Sequence, residues 1–84
     1  MMGEMIYEDD YVVESNEEIK VEHLVFSYNG NELILIRTHS EPIEGEDDMW
    51  GDTEVEVESY DGDEPLTDEE EMEVIDRCFD GDYD

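Results

Sequence analysis

The dipeptide Asn29-Gly30 sits between two runs of strand-forming residues, and it restricts this chain more than any other feature. Val21 to Tyr28 lies before it and Asn31 to Thr38 after it. A two-residue connection of this kind needs positive φ at both positions, which asparagine and glycine accept, so the pair predicts a tight antiparallel hairpin. A loop of two residues also fixes the register. Tyr28 then faces Asn31, Phe26 faces Leu33, Leu24 faces Leu35 and Glu22 faces Arg37. One face of the hairpin carries Leu24, Phe26, Leu33 and Leu35, while the other carries Val21, Val25, Ile34 and Ile36 with His23 among them. Apolar residues on both faces predict central strands, covered on at least part of each side.

The remaining elements assemble around this hairpin. Thr53 to Tyr60 alternates strictly, with Val55 and Val57 inward and Glu54, Glu56 and Glu58 toward water, and reads as a strand. A weaker strand spans Tyr11 to Ser15. Ser40 to Asp52 contains Pro42, Gly45 and Gly51 and reads as a loop, with Met49 and Trp50 folding back on the core. Thr67 and Glu70 form the S/T-x-x-E capping box of a C-terminal helix, whose acidic first turn suits the macrodipole. Met72, Ile75, Cys78 and Phe79, with Val74 nearby, predict its buried stripe, and Gly81 its stop. The fold class expected is α+β: a small, mainly antiparallel four-stranded sheet with a C-terminal helix packed on it. Residues 1–84 form a single acidic domain, with 1–10 and 80–84 as flexible ends.

Charge then decides which functions fit such a domain. Thirty Asp and Glu against three Lys and Arg give a formal net charge of −27. Such composition usually signals disorder, but here 37% of residues are apolar and fall in ordered patterns. Direct binding to nucleic acid or to an anionic membrane is excluded, because the basic footprint that neutralises phosphates is missing. Solubility needs far less, since a net charge of about 2–8 suffices for a small domain. Adaptation to high salt fits poorly with six isoleucines and no alanine. A basic partner explains the charge better, and a homodimer is compatible with the same pattern. One cysteine leaves no internal disulfide, and no apolar run approaches the roughly 18–20 residues of a membrane span. With no signal-peptide pattern at the start of the sequence, the expected location is the cytoplasm.

Catalytic and metal constellations are thin. Cys78 lies on the apolar helix stripe, where it reads as a core residue, and acidic surroundings disfavour a thiolate. Asp61-Gly62-Asp63 and Asp80-Gly81-Asp82 echo the start of a calcium loop without its later glycine and glutamate. The chain is therefore expected to be no enzyme and to need no cofactor and no metal. What remains is an acid display. Glu54, Glu56 and Glu58 repeat every two residues, roughly 6.5–7 Å, a spacing comparable to that of backbone phosphates. Glu69, Glu73 and Asp76 have the helical steps of one exposed stripe. Trp50 and Tyr60, with Met49 and Tyr11, are candidates for the apolar contacts that specificity requires.

Several short segments carry a resemblance. Tyr11-Val12-Val13-Glu14-Ser15, Leu24-Val25-Phe26-Ser27-Tyr28 and Leu33-Ile34-Leu35-Ile36, followed by Pro42 and Trp50 and an alternating strand, are similar in order to the uracil-DNA glycosylase inhibitors. More broadly the chain resembles phage-encoded DNA-mimic inhibitors. The resemblance implies that Glu14 and Ser15 face the DNA groove of a target enzyme, and that an apolar pocket between sheet and helix takes the enzyme's DNA-probing side chain. It differs in one respect: that family's acidic helices precede the central hairpin, whereas the helix here comes last. The function expected is a DNA-mimic inhibitor of a host DNA-processing protein: a restriction enzyme, a uracil-DNA glycosylase, a CRISPR effector or a nucleoid protein. The alternative is an acidic antitoxin or immunity protein, or a transcription modulator, that caps a basic partner.

Overall fold

A computed structural model describes residues 4–45 and 49–83. Four strands, β1 (Met5–Ser15), β2 (Ile19–Tyr28), β3 (Asn31–Pro42) and β4 (Trp50–Tyr60), precede one helix, α1 (Asp68–Asp80). The sheet order is β1-β2-β3-β4, antiparallel throughout, so each strand lies beside its neighbour in sequence. The α+β class is as the hydrophobic pattern predicts.

The β2–β3 hairpin has the register that its turn dictates, from Tyr28 opposite Asn31 to Glu22 opposite Arg37. Asn29 and Gly30 take φ of 54° and 82°. The N-terminal segment clamps this turn: Asn29 N–H donates to the Glu4 carbonyl at 3.0 Å, and Glu4 N–H donates to Asn29 Oδ1 at 3.2 Å. Residues 5–10, expected to be a loose end, are therefore the first half of β1, and Met5 is among the most buried side chains. Register shifts after Tyr7 and after Val12 break the alternation along β1, which hides the strand from a search for period two. The turn into β2 is built by Asn16, whose Oδ1 accepts from the amides of Glu18 and Ile19. The loop expected over residues 40–52 is also shorter, since β3 runs to Pro42 and β4 begins at Trp50; residues 46–48 lie outside the described residues.

The core occupies one face of the sheet. Met5, Leu24, Phe26, Tyr28, Leu33, Leu35 and Val55 meet Val74 and Cys78 of α1, with Tyr60, Leu66 and Ile75 packed around them. Each large side chain so removed from water contributes about 1.5–3 kcal/mol. Thr67 caps the helix reciprocally with Glu70, and Gly81 ends it with φ 72°. The buried stripe is narrower than the expected one, keeping Val74, Ile75 and Cys78. Val74 and Cys78, one helical turn apart, point inward, while Met72 and Phe79 are 66% and 53% exposed. Tyr83, beyond the helix, stacks on Tyr7 and meets Phe26 edge-on.

The opposite face of the sheet is open. Residues paired in register share a face, which puts Ile6, Tyr11, Val21, His23, Val25, Ile34, Ile36 and Thr38 together on the side away from α1. None of them belongs to the core cluster, and no described element lies over them.

Candidate functional site: an acidic frame around the sheet

The carboxylates are sorted by the topology. Two central strands rich in β-branched and aromatic residues leave room for few charges, and among the described residues β2 and β3 carry only Glu22, Glu32 and Glu41. The acids collect on the two edge strands, the helix and the connecting loops. Edge strands present unpaired backbone groups, and charges with bulges along them also discourage edge-to-edge aggregation. That is the plainest reading of the acids on β1 and β4 taken singly.

Register places the predicted residues in different settings. Glu54 and Glu56 lie opposite Thr38 and Ile36 and so belong to the open face, as does Asp52 opposite Ser40. Glu58 sits at the register shift between Val57 and Ser59. The shift also brings Tyr60 opposite Leu33, on the core side. There Tyr60 meets Tyr28 edge-on and accepts a hydrogen bond from Asn31 Nδ2 at 3.0 Å. It is half-buried, a packing residue more than a free contact. On β1, Glu14 lies opposite Val21 and Asp9 opposite Val25, both on the open face, and Ser15 pairs with Lys20 at the strand's end. Tyr11 stands between Asp9 and Glu14, its ring 5.3 Å edge-on from His23 and its hydroxyl 3.1 Å from His23 Nδ1.

The helix acids divide. Glu69 and Asp76 are exposed, but Glu73 turns inward and accepts a hydrogen bond from Tyr28 Oη at 3.0 Å. Burial, and then this bond, push the Tyr28 phenol up to about 12. Glu73 therefore ties the helix to the sheet instead of extending an exposed stripe. Tyr7 Oη donates a hydrogen bond to Asp10 on the β1 edge, which with desolvation pushes its phenol up to about 12.

A polar cluster lies on the core side beyond the helix. Glu22 accepts from Arg37 Nη2 at 3.2 Å and 3.3 Å and lies 2.7 Å from His39 Nε2, while His39 Nδ1 lies 3.0 Å from Thr53 Oγ1. Burial works to raise the Glu22 pKa, but the bonds from Arg37 and His39 outweigh it and hold the carboxyl below its ordinary value. Trp50 stacks on His39 with ring centroids 6.1 Å apart, so this residue does fold back on the sheet. Met49, expected to do the same, is 51% exposed. Lys20 and Arg37 both belong to this side, because they are in register with His39 and Glu22. The open face consequently carries no lysine or arginine.

Cys78 is buried against the sheet, and desolvation raises its pKa. Such a thiol is protonated and shielded. Among the described residues no group of three His, Cys, Asp or Glu side chains is placed to hold a metal ion. A cleft between the hairpin end and the start of α1 is lined by Asn31, Tyr60, Leu66, Thr67 and Glu70 among others and is mainly polar. No helix of the described residues is long and apolar enough to cross a membrane. No protein-family model matches the chain, and neither a curated protein nor a solved structure does.

Proposed function

We propose that this domain is a DNA mimic that inhibits a DNA-binding protein by occupying its phosphate-binding surface. The observation that carries this reading is the linear density of charge. The body measures 44 × 22 × 21 Å; its described residues carry 26 Asp and Glu against three Lys and Arg, so 44 Å divided by 23 gives one negative charge per roughly 1.9 Å of long axis. Duplex DNA carries one per about 1.7 Å. A rod charged to this extent attracts counterions as DNA does, and a basic cleft that releases ions on binding DNA gains the same entropy here. The field also steers the domain rapidly toward such a cleft.

The same density argues against a soluble domain whose acids serve only hydration, for which a small fraction of this charge suffices. It disfavours a homodimer, since two such bodies repel. The burial of Cys78, the one cysteine, supports a binding role over thiol catalysis. The cytoplasm, where DNA-processing proteins act, is the location this function implies. A second reading, an antitoxin or immunity protein capping a basic toxin, draws support from Met72 and Phe79. These exposed apolar side chains on α1 are anchors outside the acid rows, of the kind a protein–protein cap uses.

Capture on the immobilised domain from a bacterial lysate, with elution by duplex DNA, separates the two. A DNA-processing protein that is released by duplex and by salt supports mimicry. A basic protein that salt releases but duplex DNA leaves in place favours capping and overturns the mimic.

A further inference from the structure

The open face combines three features, of which the mimic reading uses only the acids. Its centre is mainly apolar: Val21, Val25, Ile34 and Ile36 are half-buried and outside the core cluster, with His23 and Thr38 among them and Ile6 36% exposed beside them. Its two long margins are acidic, with Asp52, Glu54 and Glu56 on β4 and Asp9 and Glu14 on β1. Neither lysine nor arginine interrupts it, since Lys20 and Arg37 lie on the other side.

The dimensions select an occupant. Three interstrand steps of about 4.8 Å set the acid margins roughly 14 Å apart. An α-helix with its side chains is about 10–12 Å across, and the DNA major groove that admits one is about 12 Å wide. We propose that this face is a docking channel for an amphipathic basic helix, its apolar stripe seated on Val25, Ile34 and Ile36 and its flanking lysines and arginines reaching the two acid margins. An extended strand would satisfy one edge only and leave the centre uncovered. A second copy of the chain would bring acid against acid. The channel rests on the reading of the domain as a binder of basic proteins and not on whether that partner binds DNA. The helix patch of Met72 and Phe79 is the weaker candidate, because Asp76 lies between the two residues.

The test uses the full isotope-labelled chain and two synthetic peptides of identical leucine and lysine composition. One arranges its leucines as a single helical stripe with lysines on both sides, and the other is scrambled. The channel predicts saturating amide shifts centred on Val25, Ile34 and Ile36, and at least tenfold weaker binding of the scrambled peptide. Ile34→Thr with Ile36→Thr, which keeps strand-forming side chains, is expected to weaken the amphipathic peptide about tenfold and leave the scrambled one unchanged. Glu54→Gln with Glu56→Gln weakens both peptides without touching the sheet's interior, and it keeps the test valid should the threonine pair unfold the chain. Shifts confined to α1 around Met72 and Phe79, equal affinity for the two peptides, or self-association of the free chain through this face would overturn the proposal. A channel that binds the peptide, in a chain whose cellular partner ignores DNA, would sink the mimic and leave the channel standing.

Discussion

Glu22 and Glu56 lie on opposite sides of the same sheet, and their removal should change stability in opposite directions. Glu22 is 12% exposed in its side chain and is held by Arg37 and His39. Hydrogen bonds to charged groups contribute about 1.5–3 kcal/mol each when buried. Arg37 is 30% exposed, which screens its share, so we expect Glu22→Gln to lose about 2 kcal/mol in all. For a domain of this size about 1 kcal/mol moves Tm by roughly 4–8 °C, which predicts a fall on the order of 10 °C. Glu56 is exposed and has only like charges along its strand, so Glu56→Gln removes repulsion and should raise Tm at low salt, an effect that added salt erases. The pH dependence carries the sign of the shift. The folded pKa of Glu22 is depressed, so its contribution is present above the unfolded value near 4.3 and disappears as pH falls through the folded one. The wild type should therefore lose, on acidification through that window, an increment of stability that Glu22→Gln does not have. Calorimetric melts of both variants at two salt concentrations and from pH 3 to 7 measure this. A Glu22→Gln protein stabilised as much as Glu56→Gln would show that the Glu22 cluster is one more repulsive charge and would refute the reasoning.

Val74→Ala removes a fully buried side chain from the helix–sheet contact and should cost about 2–3 kcal/mol by denaturant titration, detaching α1 before the sheet. Gly30→Ala forces a side chain into φ 82° at the hairpin turn, with an expected cost of about 1 kcal/mol by the same measurement. The wild-type Tm at pH 7 should climb clearly between low and high salt, because screening relieves repulsion among the exposed acids; a flat response would mean the charges lie too far apart to interact.

The hairpin was legible because a single dipeptide sets both turn and register, and the helix ends because caps are local chemistry. Features that depend on a bulge or on a neighbour were not. The shift beside Glu58 moves Tyr60 to the core side, and strict alternation cannot foresee it. Two further shifts conceal the first half of β1, whose signal is instead the asparagine that builds its turn. The helix stripe reads too wide in sequence because Met72 and Phe79 are as apolar as Val74, Ile75 and Cys78; which of them point inward is decided by the sheet's position, not by helical period alone. For the acids, sequence supplied the total charge and the β4 ladder. Only the strand order shows that Glu54 and Glu14 border one apolar face, and that Glu22 and Glu73 serve the fold.

The central claim is that a partner's DNA site and this domain's site on that partner are the same. A direct measurement is the affinity of the captured protein for labelled duplex DNA at increasing concentrations of the domain, at fixed salt. Mimicry predicts a purely competitive pattern, with apparent Kd for DNA rising in proportion to added domain and no ternary complex at any concentration. A ternary complex, or an apparent Kd that stops rising while the domain is still being added, would contradict it.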